Sequence, residues 1–474
     1  MEARLKCTRC GKTYPPNIEL RLCECGSPLI LIHEVEGLGI GGTELKTIIG
    51  SRPPGVWRYL ELLPRVVGEP VSLGEGGTYL QRAERLGREL GLRNLYLKNE
   101  TVNPTGSFLD RGSTVEVTMA LHSKVRCLEC FSRGNLAASL AAYAVKAGIP
   151  CRVYVLPGAE QAKILQALAY DAELIYSSRK FKHLGDGHLV EPYNPFFLDG
   201  LKTSTLEILE QLDWNPPDAI FITVGTGSNL TAAWKALSEA ESIGLIEENS
   251  TRLYGVQASG CAPIVEAFKR GLDEVEPKKD YKMIFPDISE PNPILGSIVL
   301  KAIRGSGGSA IMVGEDEILK SIKLLAKTEG VLAEPAAAAS IAALKIAVDD
   351  GLIDRSERVV CMITGSGLKD PASMRELFKL SYPKHVRVSG TKLKILKLLS
   401  ERSMYGYELW KSLKTAYGLE FKLPTIYQHL SELLRMGLIV SKPPERGFGR
   451  RMVRKYHLTE SGRRVLAESL NREP

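Results

Sequence analysis

No stretch of this chain of 474 residues approaches the ~18 uncharged apolar residues that a membrane span needs. The opening Met1-Glu-Ala-Arg-Leu-Lys-Cys7 has no apolar segment of the kind that directs secretion. A cytoplasmic location is therefore expected. Convincing internal repeats and low-complexity tracts are missing as well. Nine cysteines do not form a secreted disulfide framework at this length. Basic excess is absent from most of the molecule. From Pro383 to Pro474 there are 19 Lys and Arg against 8 Asp and Glu, whereas the preceding residues carry 43 against 47. The net charge of +7 thus comes from the last fifth of the chain, the signature of a nucleic-acid module joined to a near-neutral body. A merely solvated basic tail is disfavoured by the Leu, Ile and Tyr that recur there at helical spacing.

What is present fits a soluble globular protein, with 44% apolar and 25% charged residues and a length that predicts about three domains. Residues 1–30 hold two knuckle-like turns, Cys7-Thr-Arg-Cys10 and Cys23-Glu-Cys25. Four thiolates in two close pairs suit a structural, tetrahedral zinc site. The second pair has a spacer of one residue rather than two, which leaves a metal-free relic of the same ribbon as the alternative. A segment this short needs a metal or a neighbour to stay folded. The remaining cysteines, Cys127, Cys130, Cys151, Cys261 and Cys361, read as small buried apolar residues.

From about 70 to 380, β-rich runs alternate with Ala- and Leu-rich helical patterns. Strands are predicted at Leu95–Lys98, Arg152–Leu156, Leu174–Tyr176, Ala219–Val224, Leu253–Val256 and Arg358–Ile363. Helices include Leu136–Ala144 and Pro335–Leu344. This alternation predicts an α/β body of parallel sheets covered by helices. Gly225-Thr226-Gly227-Ser228-Asn229 follows a strand and opens a helix, a natural anion cradle. His183, Asp186 and His188 could ligate a metal, but two histidines in a Gly-rich loop are more often solvated.

Four separated motifs carry a resemblance. Asn103-Pro-Thr-Gly-Ser-Phe-Leu-Asp-Arg-Gly112, Ser132-Arg-Gly-Asn135, the 225–229 loop and Thr364-Gly-Ser-Gly-Leu-Lys-Asp370 occur in order, with Glu334-Pro335-Ala336 between the last two. Together they resemble threonine synthases, pyridoxal-phosphate (PLP) enzymes of fold type II. The resemblance implies PLP-binding roles for Asn135, for Gly225 to Asn229 and for Thr364. It also implies a Schiff-base lysine at the position held by Leu109. Leucine has no amine to form an imine or to move the α-proton. Leu136, Arg133 and Phe197 also depart from the family, Phe197 where relatives place an arginine for the substrate phosphate. These changes imply a degenerate enzyme that binds PLP non-covalently or not at all. They leave the pocket able to hold a small anion, such as a phosphorylated amino acid or a PLP–amino acid imine. The loops could instead persist only as turns and caps.

A linker is predicted at 381–390, where Pro383 and Gly390 bracket the change of charge. Beyond it, helices are predicted over 391–399, 405–413 and 424–435, then a basic hairpin and a last helix N-capped by Thr459. Tyr405-Gly-Tyr-Glu-Leu409, Thr425-Ile-Tyr427 and Lys455-Tyr-His-Leu-Thr459 resemble PadR-family regulators, which implies a winged helix-turn-helix over 391–474. The third helix would present Thr425, Tyr427 and Gln428 to the major groove. Arg446, Arg450, Arg451 and Arg454 on the wing would meet phosphates or the minor groove. The expected whole is a homodimeric regulator that binds duplex DNA and senses an anionic metabolite with residues 31–380. A PLP lyase using another base, or a scaffold for a true threonine synthase, are the competing readings.

Overall fold

The computed structural model describes residues 3–33, 39–178, 187–380, 390–441, 445–446 and 452–470. The chain divides into two compact units, Met1–Leu377 and Phe378–Pro474.

The first unit begins with three antiparallel strands, β1 (Ala3–Cys7), β2 (Thr13–Tyr14) and β3 (Leu29–His33), in the order β2-β1-β3. Alternation buries one face of β1 and β3, so Leu5, Leu29 and Leu31 point inward. The ribbon does not stand apart. Those leucines, with Cys7 and Cys23, share an apolar cluster with Val115, Leu198 and Leu201 of the body. The neighbour that so short a segment needs is therefore the body itself.

Two sheets form the body. The larger runs β12 (Ser309–Val313), β11 (Arg252–Ala258), β10 (Ala219–Thr223), β13 (Arg358–Ile363), β5 (Asn94–Asn99) and β4 (Leu80–Arg82). All its pairs are parallel except β4–β5. The smaller is wholly parallel and runs β8 (Glu173–Tyr176), β7 (Cys151–Val155), β6 (Leu128–Ser132) and β9 (His188–Leu189). β6 and β10 are buried along their whole length, as parallel strands covered on both faces must be. The six expected strands all occur, within two residues at either end. The short β4, β9 and β12 carry no alternation of their own and went unseen. Cys130 lies inside β6 rather than at its end, and Cys127 is only half-buried.

Two long helices cross at the centre, Leu109–His122 and Pro195–Gln211. They approach so closely that a Cβ on Gly200 would sit 1.9 Å from the Arg111 carbonyl oxygen. A Cβ on Gly112 would sit 2.2 Å from the Phe197 ring. Phe197 is fully buried in this crossing. It is a packing residue and does not line a ligand site, contrary to the expectation that it had replaced a phosphate-binding arginine there.

His188 is likewise not solvated. Its side chain is buried in β9, with Nε2 2.7 Å from Glu116 Oε1 and Nδ1 3.3 Å from Glu19 Oε1. It thereby joins the ribbon to the Leu109–His122 helix. His183 and Asp186 lie outside the described residues.

The second unit has helices Gly390–Glu401, Gly406–Tyr417, Leu423–Arg435 and Glu460–Leu470 around one apolar cluster of Ile395, Leu399, Leu409, Ile426, Leu430 and Tyr456. A small antiparallel sheet runs β14 (Met404–Tyr405), β18 (Lys455–Leu458) and β15 (Ile439–Ser441). Outside it, β16 (Glu445–Arg446) pairs with β17 (Met452–Val453) to begin the wing. Glu408 caps its helix by accepting from the Tyr405 N–H at 2.9 Å. Thr459 Oγ1 accepts from the Gly462 N–H at 3.0 Å, the N-cap read from the sequence.

The ribbon joint should be pH-sensitive. Burial alone would lower the His188 pKa; the hydrogen bonds to Glu116 and Glu19 outweigh it and raise it from 6.5 to about 9. A group raised on folding stabilises fully below its unfolded pKa and loses that contribution as pH rises through the folded one. His188 should therefore add on the order of 3 kcal/mol near pH 6, lost between about pH 6.5 and 9. Urea unfolding across this range should show a decline in stability that His188→Gln flattens.

Candidate functional site

The Asn103–Gly112 segment is anchored by its own polar groups. Asn103 Nδ2 donates to Glu100 Oε2 at 2.7 Å, and its Oδ1 accepts from the Gly76 N–H at 3.0 Å. Asp110 accepts from the Thr105 N–H and hydroxyl at 2.7 and 2.6 Å. Arg111, with no exposed surface, donates to Glu100 at 2.6 and 2.8 Å and to Glu207 at 2.7 Å. The Phe108 N–H donates to the Thr364 carbonyl at 2.9 Å, and the Ser366 N–H to the Gly106 carbonyl at 2.9 Å. These bonds stitch two of the motifs edge to edge. They place Leu109 as the first residue of its helix, 7% exposed, in the wall of a cavity.

That cavity, of about 170 Å³, is lined by Leu109, Asn135, Leu136, residues 225–229 and Thr364, and also by Arg133 and Glu334. The motifs scattered through the sequence therefore converge, Phe197 apart. One end of the cavity is the start of the helix Ser228–Ile243, whose first N–H groups have no intrahelical acceptor. Gly227 has φ of 99°, and a Cβ there would come within 2.9 Å of Val299 and Leu295. Only glycine fits this turn. Asn229 Nδ2 and Thr223 Oγ1 are buried beside it with no partner.

Sequence reasoning singled out Glu334 but missed the rest of the charged wall, where Asp287, Glu191 and Glu290 also line the cavity. Lys163, 1% exposed, lies behind it, with Nζ bonded to Asp287 and 3.0 Å from Glu334 Oε2. It reaches there across Gly134, where a Cβ would meet its Cδ at 2.4 Å. Burial would push the Lys163 pKa down, but the charges of Asp287 and Glu334 outweigh it and hold the ammonium well above the ordinary 10.5. Lys369 is lowered by burial, yet its Nζ donates to the Thr105 carbonyl at 2.6 Å and it does not line the cavity. The one signal for Lys163 was a lysine beside Ile164 on the inward face of a short helix, Gln161–Ala169.

A pyridoxal phosphate fits this cavity in part. The glycine turn, the helix start and the orphaned Asn229 amide suit its phosphate. Its aldehyde has no amine to meet at 109, and Lys163 is engaged by two carboxylates.

The four ribbon cysteines come together. Cys7 and Cys25 Sγ are 3.4 Å apart, Cys10 and Cys23 Sγ 3.6 Å, and all four atoms lie within 4.8 Å of one another. A tetrahedral zinc with bonds of about 2.3 Å needs sulfur separations of about 3.8 Å. The one-residue spacer is therefore no obstacle. Tyr14 Oη lies 3.0 Å from Cys23 Sγ, and this hydrogen bond, with one from the Cys25 backbone, holds the Cys23 thiol below its ordinary 9.0.

In the second unit Tyr427 and Gln428 are exposed near the start of Leu423–Arg435, with Thr425 half-buried. The Tyr427 ring also covers Gly406, whose Cβ would come within 2.6 Å of it, so this residue locks two helices together as well as facing outward. Arg454 is exposed between β17 and β18, and Arg446 lies in β16. Arg450 and Arg451 lie outside the described residues.

Comparison with known proteins agrees with this geometry. Residues 71–365 match the family model "Pyridoxal-phosphate dependent enzyme", and residues 395–468 match "Transcriptional regulator PadR-like family". The chain is 43% identical to the threonine synthase of Methanocaldococcus jannaschii over 77% of this chain and 93% of that protein. It is 40% identical to that of Methanosarcina acetivorans, over 78% and 93%. The diaminopropionate ammonia lyase structure from Escherichia coli shares the fold, with a TM-score of 0.55 and 14% identity over 65% of this chain and 88% of that one. With an α/β body and motifs that meet in one cavity, this chain belongs to the pyridoxal-phosphate dependent enzyme family, as a threonine-synthase-like body followed by a PadR-like domain.

Proposed function

We propose that this protein is a ligand-responsive transcriptional regulator, a homodimer in the cytoplasm, whose threonine-synthase-like body no longer catalyses. The observation that carries the reading is Leu109 in the cavity wall; among the described residues, the neighbouring buried lysines Lys163 and Lys369 are tied to other partners. An enzyme that used Lys163 or Lys369 in place of a lysine at 109 would need that amine free. The preserved cradle at 225–229 supports retained binding of a phosphate or carboxylate.

Loss of the Schiff-base amine should cost many orders of magnitude in rate. Purified protein incubated with PLP should show no internal-aldimine absorbance and should release no phosphate from O-phosphohomoserine. Turnover at ordinary enzyme rates would refute the reading. Leu109→Lys should restore an imine band without full activity, because Leu136 and the carboxylate-lined wall remain.

The PadR-like domain supports duplex DNA binding. Thr425, Tyr427 and Gln428 would read bases, while Arg446, Arg450, Arg451 and Arg454 would meet the backbone. In gel shifts over a series of salt concentrations, Arg450→Ala with Arg451→Ala should flatten the salt slope by roughly two. Gln428→Ala should relax sequence preference and leave the slope alone. Indifference of the full-length protein to its own upstream DNA at low salt would favour a scaffold for a true threonine synthase.

A zinc ion held by Cys7, Cys10, Cys23 and Cys25 would be structural, since four thiolates leave no open position. Metal analysis should return about one zinc per chain. Because the ribbon shares the body's apolar cluster, chelation should lower the melting temperature of the whole body. A metal content near zero would instead favour the relic ribbon.

A further inference from the structure

We infer that the body carries a charge latch, centred on Lys163, that holds its two halves shut over the cavity and must part before a solute enters. One half is built on the smaller sheet and the other on the larger. The inference goes beyond the ligand-sensing reading, because it concerns access to the cavity rather than any one ligand.

The cavity lies on the seam between the halves. Ser132 to Asn135 reach it from the end of β6, and Gly225 to Gly227 from the end of β10. Apolar packing on the two sides is separate. Ile164 and Ala167 of the helix Gln161–Ala169 belong to the cluster formed with Cys130 and Val153 of the smaller sheet. Ile288, Ala333 and Ala336 belong to the cluster formed with Phe221 and Ile363 of the larger one.

The bonds that cross beside the cavity are polar. Lys163 is bonded to Asp287 and lies 3.0 Å from Glu334 Oε2. Asn135 Nδ2, on the same side as Lys163, donates to both Glu334 oxygens at 3.1 and 3.0 Å and lies 3.5 Å from Asp287 Oδ2. Two donors of one half thus hold two carboxylates of the other. Glycine at 134 leaves the space through which the lysine crosses.

Such a seam parts at low net cost. Charged and amide groups that separate recover hydrogen bonds from water, whereas parting an apolar seam exposes surface with nothing to replace the contact. A buried ion pair sets its Coulomb gain against its desolvation in the same way. Depth within the bridge is uneven. The side chains of Lys163 and Glu334 are each 2% exposed, and that of Asp287 is 26% exposed. Water meets the bridge at Asp287, so parting begins there.

The test puts a reporter thiol inside the cavity. Full-length protein carrying Leu109→Cys is treated with iodoacetamide, and labelling at position 109 is timed by peptide mass. The native Cys361, fully buried in β13, is the control for unfolding. With the latch intact, position 109 should react far more slowly than in the urea-unfolded chain. Asp287→Ala alters the most exposed member and should speed labelling several-fold. Lys163→Met with Glu334→Gln removes the bridge without leaving a fully buried lone charge, and should speed labelling by about ten-fold or more. Cys361 should not change. Labelling at 109 as fast as in the unfolded chain, or unmoved by both variants, would overturn the inference. So would a parallel rise at Cys361, which would make Lys163 a brace for the whole fold. Either result leaves the ligand-sensing reading standing, since the labelling involves no ligand.

Discussion

Everything around the cavity depends on one buried ionic knot. Arg111, Glu100, Glu207 and Lys98 have almost no exposed surface, and Lys98 Nζ lies 2.7 Å from Glu207. A charge taken out of water must be paired and fully hydrogen-bonded, and losing one partner costs several kcal/mol. The knot ties β5, the Leu109–His122 helix and the Pro195–Gln211 helix at one point. Thr78 joins it, its hydroxyl donating to Glu100 at 2.7 Å and its carbonyl accepting from Lys98 at 2.9 Å. Asn103, Asp110 and Arg111 hold the chain together, whereas Leu109 fills part of the cavity wall.

The fold and most of the site were legible in the sequence because their signals are local. Buried parallel strands read as β-branched runs, and glycine turns between strand and helix read as loops wherever they occur. The motifs group Leu109, Asn135, Gly227 and Thr364, and these residues do line one cavity. What stayed hidden depended on distance in sequence. Phe197 looked like a replaced ligand residue, but its role is set by Gly112 on another helix. His188 looked solvated among glycines, yet its partners Glu116 and Glu19 lie 72 and 169 positions away. Asp287 and Lys163 come from a short 3₁₀ turn and a short helix without strong periodicity, and only folding makes them neighbours.

The ribbon illustrates a related limit. Its cysteine spacing announced a metal site, but not that Cys7 and Cys23 would sit in the body's own apolar cluster. A second tie runs through β3, where His33 is bonded to Asp199, itself 2.7 Å from Lys235. Lys235 lies on the helix that begins at the anion cradle. The ribbon is thus bolted to the Pro195–Gln211 helix and, through Asp199, to the Ser228–Ile243 helix that starts in the cavity wall.

The backbone bonds between 106–108 and 364–366 have a further consequence. Thr364 is the last cavity residue before the chain leaves the body. From it the main chain passes through a single turn at Gly367–Lys369 and enters the helix Pro371–Leu380. That helix crosses the boundary between the two units at Leu377. Before that boundary, Met374 and Leu377 of the helix pack into the apolar cluster that holds Ala333 and Ile363. A helix is stiff along its axis, so the 364–366 loop is clamped at both ends, by β13 before it and by this packed helix after it, and the cavity wall it forms has little freedom to shift.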